Sequence, residues 1–315
     1  MREIQLIEVK SELGAGTRGA SMGVDAIKIA ALDFGSRFFK QYPSIEVRDE
    51  NHLLLESSGS PYAKRISGIL TVCERVADEV HKILDLEKFP VILAGDHSSA
   101  IGTIAGIHKA YPKKKLGVIW IDAHADIHSP YTSPSGNVHG MSVSASLDED
   151  NLTQKVNQPN QETLNYWFQL KNVGAMAPKI VPQDLVYIGV RDIESPELFL
   201  INKNKIKNVS VSSFRKLGVE RVLNDVMNHL DKCDLIYVSF DVDCMDPSIS
   251  RGTGTPVPNG FTEREMGSLI ARMCGYPKIC CFEIVEVNPT LDTENLMAEN
   301  AFEILSRAIN ALTND

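Results

Sequence analysis

Apolar residues fall along the chain in two alternating rhythms. Short runs read as strands: IQLIEV (4–9), VILAG (91–95), LGVIWID (116–122), LVYIGV (185–190), VSVSS (209–213), LIYVSFDVD (235–243) and CFEIVEV (281–287). Between them lie stretches with helical spacing. Ile66, Ile69, Cys73, Val76, Ala77, Val80, Ile83 and Leu84 recur at intervals that predict an amphipathic helix over 66–84. Residues 219–231 and 294–312 carry similar patterns. Thr262, with Glu265 three residues later, makes a capping box that starts another helix. Strand-helix alternation of this kind predicts an α/β fold, a mostly parallel sheet with helices on both faces. No repeat or linker divides the chain, so a single domain over 1–315 is expected.

Residues 148–184 break the rhythm. They are polar, rich in Asn and Gln, and long for a connection inside a compact domain. Tyr166, Trp167 and Phe168 offer an aromatic anchor. The expectation is a surface insertion held by one packed helical turn, in preference to a lid over a catalytic site.

Composition narrows the function classes. A net charge of −9 argues against nucleic acid as a partner. The longest apolar runs reach about eight residues, too short to span a membrane. The residues after Met1 have no signal-peptide shape. The six cysteines show no C-x-x-C spacing and sit in apolar segments, as buried thiols in a reducing cytoplasm would.

Chemistry gathers where the apolar runs end. VILAG leads to His97. LGVIWID leads to Asp122, His124 and Asp126 at every second position. LIYVSFDVD closes with Asp241 and Asp243. Alternate side chains of a strand share a face, and ligands of open parallel sheets bind beyond the carboxyl ends of the strands. Four carboxylates and two imidazoles suit Mn²⁺ or a similar divalent ion. Two such ions about 3.5–4 Å apart share a bridging hydroxide in known binuclear sites. Asp126 and one of Asp241 or Asp243 are the expected bridging carboxylates. One D-x-H alone is usually a solvated turn. Here, however, five of the eight histidines lie between His97 and His139, and unpaired carboxylates behind such apolar strands are costly. A competing pattern is Gly14, Gly16 and Gly19, which match G-x-G-x-x-G after the strand IQLIEV, with Asp49 and Glu50 further on. That match needs no more than a few glycines, and a tight turn leading into a helix is the preferred reading.

With these residues in view, the chain resembles the ureohydrolase superfamily, and within it the arginases of divergent bacterial type. The resemblance rests on GDHSSAIG (95–102), DAHADIH (122–128), SGNVHG (135–140), SFDVDCMDPS (239–248), TGTP (253–256), EVNP (286–289) and the early segment ELGAGTRGASMGVDAIK. It implies a three-layer α/β/α fold and a dimanganese site, with cobalt or another divalent ion as the alternative metal. It implies cytoplasmic hydrolysis of L-arginine to L-ornithine and urea by a metal-bridging hydroxide. The family's metal ligands fall on His97, Asp122, His124, Asp126, Asp241 and Asp243. Its catalytic groups fall on His139, Asp126 and Glu286. Its substrate contacts fall on His128, Ser135, Asn137, Glu194, Glu197, Thr253 and Glu286. Ser135 and Asn137 would read the α-carboxylate, Glu194 and Glu197 the ammonium, and Glu286 the guanidinium. Two positions depart from the family pattern: His128 stands for an asparagine and Glu194 for an aspartate. The related substrates agmatine, guanidinobutyrate and formiminoglutamate are the alternatives. A homo-oligomer, trimer or hexamer, is expected from the resemblance alone.

Overall fold

The computed structural model describes residues 2–313. The expected domain over 1–315 therefore includes Met1, Asn314 and Asp315, which lie outside the described residues. Among the described residues ten strands form, in chain order: β1 (Ile4–Val9), β2 (Ser44–Val47), β3 (Gly59–Ser60), β4 (Ala63–Lys64), β5 (Phe89–Ala94), β6 (Leu116–Ile121), β7 (Leu185–Ile188), β8 (Lys207–Val209), β9 (Leu235–Asp241) and β10 (Ile279–Val285). Strands β3 and β4 make a small antiparallel hairpin. The other eight form one sheet, in the order β2-β1-β5-β10-β9-β6-β7-β8. Every pairing in that sheet is parallel.

Helices α1 (Gly23–Asp33), α2 (Phe38–Gln41), α3 (Ile66–Asp85), α4 (Ser99–Ala110), α5 (Ser142–Leu147), α6 (Gln161–Lys171), α7 (Ser195–Asn204), α8 (Val211–Leu217), α9 (Val219–His229), α10 (Glu263–Cys274) and α11 (Leu296–Thr313) surround the sheet. The pleat sorts the core into two layers. Val91 and Leu93 of β5 join Ile119 and Ile121 of β6 in a cluster with α1, α9, α10 and α11. Ile92 of β5 and Val118 and Trp120 of β6 join α3, α4 and α7 on the opposite face. Central strands buried on both faces carry no polar alternation, so β5 and β6 are apolar throughout. The result is the expected three-layer α/β/α arrangement.

The helices expected over 66–84, 219–231 and 294–312 form close to those limits, as α3, α9 and α11. The capping box at Thr262 and Glu265 is present and starts α10. The strand expected over 209–213 does not form. The chain leaves β8 at Val209, and the Ser210 hydroxyl accepts the Ser213 N–H at 3.2 Å, which nucleates α8 instead. Strand β2 escaped the sequence pattern because it is an edge strand with only Val47 buried.

The insertion 148–184 carries a full helix, α6, of 11 residues, more than the single turn expected. Asn160 caps it, accepting the Thr163 N–H at 2.9 Å. Of the three aromatics, Trp167 alone is fully buried, with its indole N–H on Asp150 at 2.7 Å, whereas Phe168 is exposed. The helix packs against α3 and α5. Next to it Lys179 is buried, donates to the Lys171 carbonyl, and among the described residues has no carboxylate partner. Burial pulls this ammonium from the usual 10.5 down to about 8. The unfolded chain therefore binds the extra proton between those values, and stability rises with pH across the window from about 8 to 10.5. Lys179→Met is expected to abolish that rise. Near pH 7 it should add on the order of 1 kcal/mol, the relieved desolvation exceeding one lost hydrogen bond. Denaturant unfolding of both proteins at several pH values checks this.

No helix among the described residues is long and apolar enough to cross a membrane. Five cysteines are buried, Cys280 is partly so, and all six are free thiols.

Candidate active site

The four central strands β5, β10, β9 and β6 are neighbours and parallel, so their carboxyl ends open on one edge of the sheet. Each strand releases its functional residues there. Past β5 stand Asp96 and His97. Past β6 stand Asp122, His124 and Asp126. β9 ends at Asp241, with Asp243 just beyond, and Glu286 follows β10. Tight turns aim the carboxylates. Asp122 accepts the His124 N–H at 2.7 Å, Asp241 accepts the Asp243 N–H at 2.8 Å, and Asp243 accepts the Ala123 N–H at 3.0 Å. Asp126 and Glu286 adopt the left-handed region, at φ 48° and 67°. For non-glycine residues this is strain of the kind that concentrates at functional sites.

Six groups converge. His97 Nδ1 lies 3.2 Å from Asp122 Oδ2, 3.2 Å from Asp126 Oδ2 and 3.3 Å from Asp241 Oδ2. It is buried and aligned as a hydrogen bond with none of them. Its ring stacks on Trp120, with centroids 4.0 Å apart, and its Nε2 meets Ser239 Oγ at 2.7 Å. His124 Nδ1 lies 2.8 Å from Asp243 Oδ2 and 3.6 Å from Asp122 Oδ1. Two groups thus have the geometry to hold an ion: His97, Asp122 and Asp241, and Asp122, His124 and Asp243. Asp122 is common to both. Asp126, one of the expected bridging carboxylates, belongs to neither, though it touches His97.

The donor set fits a pair of divalent cations. Among the described residues, no Lys or Arg pairs with any of the four aspartates. Adjacent ligands of an octahedral ion at about 2.1 Å sit about 3 Å apart, close to the spacing around His97 Nδ1. Without cations the acids compete for protons. Burial, then the charge of Asp122, pushes Asp126 up to about 6. Burial and the neighbouring aspartates raise Asp241 well above its ordinary range and raise Asp243 as well. Burial alone would lower His97 and His124, yet the surrounding aspartates carry both well above the ordinary imidazole value. Frustrated protonation of this kind is relieved when metal replaces protons.

A cavity of about 280 Å³ opens over the cluster. Of the sequence-derived residues, His124, Asp126, His128, Ser135, Asn137, His139, Glu194, Glu197, Asp241 and Asp243 line it, and none comes from the insertion 148–184. His97 and Asp122 do not line it; both are buried, and His97 Nδ1 lies 3.2 Å from the lining Asp126 and 3.3 Å from the lining Asp241. Glu286 lies behind His139. Its Oε1 accepts the His97 backbone N–H at 3.0 Å and meets His139 Nδ1 at 2.9 Å. Burial opposes both charges, but the pair holds His139 up at about 9 and Glu286 below its ordinary value. Glu197 is buried and accepts the Glu194 N–H at 3.0 Å, so it caps α7 as well as facing the cavity. Burial raises it to about 7. Burial draws His128 down to about 4.

Thr253 does not reach the cavity. Its hydroxyl is buried without a partner, and Thr255, two residues on, lines the wall and donates to Asp243 at 3.1 Å. Sequence reasoning also missed Asp192 on the cavity wall, Ser239 behind His97, and Lys64. From the β3–β4 hairpin, Lys64 Nζ donates to Asn137 Oδ1 at 3.2 Å. Ser239 stood within a quoted motif and pairs with His97 only across the sheet. Lys64 carried no local signal. The glycines that mimic a dinucleotide loop serve close packing. Gly14 N donates to Asp96 at 3.0 Å, and a Cβ at Gly16 would lie 2.6 Å from the Asn137 amide.

Comparison with known proteins agrees with this architecture. The profile of the Arginase family matches residues 2–310. The arginase of Brevibacillus brevis is 34% identical over 311 residues, covering 97% of each chain. The solved native arginase of Bacillus caldovelox has a TM-score of 0.82 and 33% identity, covering 100% of this chain and 99% of that one. Formimidoylglutamase of Bacillus subtilis shares the fold at TM-score 0.76 and 20% identity, covering 100% of this chain and 88% of that one. A parallel sheet with a His/Asp cluster at its carboxyl edge, matched over this length, defines a metal-dependent amidinohydrolase. The chain belongs to the arginase family.

Proposed function

We propose that this enzyme hydrolyses L-arginine to L-ornithine and urea, with two Mn²⁺ ions, or Co²⁺ in their place, held by His97, Asp122, His124, Asp126, Asp241 and Asp243. The observation that carries the reading is the pair of His/Asp groups sharing Asp122 at the carboxyl edge of the sheet. Asp122 belongs to both groups and would be the carboxylate available to both ions. When bound, such ions lower the pKa of a water enough to supply hydroxide near neutral pH.

The chain's own residues do the rest. Glu286 is anionic, and its Oε2 accepts no protein hydrogen bond among the described residues, which leaves an oxygen for a guanidinium N–H. Asp126 faces the cavity beside His97 and can accept a hydrogen bond from the attacking water. His139, held near 9 by Glu286, is protonated at neutral pH and can give its proton to the departing amine. Ser135 and Asn137 on one wall, and Glu194 and Glu197 on the other, suit the carboxylate and ammonium of an amino acid. A cytoplasmic, homo-oligomeric enzyme of one domain completes the reading.

The deciding experiment measures urea release from arginine and agmatine after loading with Mn²⁺, Co²⁺ or EDTA. Metal-dependent urea from arginine alone supports the proposal. Urea from agmatine alone overturns the substrate.

Gly136 gives a further check. It sits at φ +70°, and a Cβ there would come 1.8 Å from the Pro61 carbonyl oxygen. Gly136→Ala must therefore push Ser135 and Asn137 off the hairpin. Its expected effect is a KM for arginine raised about tenfold or more, with metal content intact, because displaced contacts lose orientation. An unchanged KM would remove those two residues from the substrate wall.

A further inference from the structure

Carboxylates dominate the lining of the cavity, and among the described residues no Lys or Arg belongs to it. One ammonium stands directly behind the wall. Lys64 is half-buried on β4, donates from Nζ to Asn137 Oδ1 at 3.2 Å, and pairs with no carboxylate among the described residues. Asn137 itself lines the cavity.

The loop that carries Asn137 is braced along its backbone. Lys64 N donates to the Gly136 carbonyl at 2.8 Å, Ser133 Oγ accepts the Gly136 N–H at 2.9 Å, and Ser135 Oγ accepts the Asn137 N–H at 3.2 Å. The Asn137 side chain has one protein hydrogen bond among the described residues, the one from Lys64. An amide offers an acceptor at one end and two donors at the other, so its orientation decides what it can bind. An ammonium has three donors and no acceptor. It holds the oxygen and repels the NH₂ end. That end, Nδ2, lies over Gly16, where a Cβ would come 2.6 Å from it. Lys64 and the bare face of Gly16 therefore select one orientation, with Oδ1 satisfied and the Nδ2 donors unpartnered.

We propose that Lys64 is a positioning residue that fixes the Asn137 amide with its donor end free for the carboxylate of an amino-acid substrate, so that the β3–β4 hairpin sets the preference for an amino acid over a simple amine. This rests on the reading of arginine as substrate and of Asn137 as a contact to its carboxylate. The Lys64 charge acts in the same sense as the geometry. The acids of the wall repel an anionic end, whereas an ammonium on Oδ1 polarises the amide and strengthens its N–H groups as donors.

Lys64→Met keeps the aliphatic stem and the backbone bond to Gly136 and removes the ammonium. In the Mn²⁺-loaded enzyme the KM for arginine should rise about tenfold, the scale of a hydrogen bond to a charged group, while kcat changes by less than about twofold. Ornithine affinity, read by calorimetry without turnover, should fall by the same factor. The affinity for putrescine, which has no carboxylate, should stay as in the parent. Lys64→Arg should recover most of the arginine KM and the ornithine affinity. A Lys64→Met variant with unchanged KM and ornithine affinity overturns the proposal. So does equal weakening of ornithine and putrescine, which would make Lys64 a brace of the hairpin and nothing more. In both cases an active parent leaves the substrate reading standing. Absence of urea from arginine in the metal-loaded parent overturns that reading, and the role of Lys64 falls with it.

Discussion

Asp122→Asn is expected to lower bound metal from two ions per chain to one or fewer, and urea release from arginine by roughly 10³-fold or more, the equivalent of several kcal/mol of lost Lewis-acid assistance. Asp122 is the carboxylate common to both ion-holding groups, so the change touches each of them. It is also the acid whose charge raises Asp126, Asp241 and Asp243. Asparagine keeps one oxygen, for the Trp120 indole N–H (2.9 Å from Oδ2) or the His124 N–H (2.7 Å from Oδ1) but not for both, and the lost bond is offset by relief of the charge repulsion among the buried aspartates. Metal-free protein and variant should therefore unfold at similar temperatures. Added Mn²⁺ should raise the midpoint of the parent far more than that of the variant, because an ion that binds only the folded chain stabilises it by mass action. Elemental analysis with thermal unfolding checks all three. Two ions retained by the variant would contradict the shared-carboxylate assignment.

Glu286→Gln should be nearly as damaging by a different route. The glutamate carries the charge that pairs with His139, accepts the His97 backbone N–H, and is proposed to orient the guanidinium. Glutamine keeps the size but loses the charge-assisted bonds, worth about 1.5–3 kcal/mol each, and the alignment that depends on them. The expected loss in kcat/KM is about 10²- to 10³-fold, with metal content preserved. A pH signature accompanies it. With Glu286 present, His139 is raised to about 9, so the stability of that pair is complete below the ordinary imidazole value of 6.5 and is lost as pH rises through about 9. The variant lacks this alkaline loss, and titration of His139 by NMR should show its pKa moving down. A kcat/KM within threefold of the parent would rule out Glu286 as a substrate contact.

Much of this was legible in the chain because it is local. Apolar runs without polar alternation mark strands buried on both faces, and β5, β6, β9 and β10 form close to where those runs stand. The D-x-H-x-D spacing after β6 puts three ligand-type side chains within one turn whatever the rest of the chain does. Where the pattern misled, competition at short range was the reason. VSVSS has the composition of a strand, but the hydroxyl of Ser210 satisfies a backbone N–H and starts a helix. The polar insertion reads as irregular because only Trp167 and a few neighbours of α6 are buried.

The sequence by itself determined the alternating α/β order, the central strands and the six ligand-type residues, since each depends on neighbours a few positions away. The tertiary structure alone decided how they meet. Sheet order β5-β10-β9-β6 brings His97, Glu286, Asp241 and Asp122 to one edge from positions up to 189 residues apart. It also made Asp122 the shared carboxylate, set Thr255 and not Thr253 on the cavity wall, and laid the β3–β4 hairpin under Gly136. Those outcomes follow from strand neighbours and from contacts a few ångströms long between distant segments, and periodicity along a chain carries no information about either.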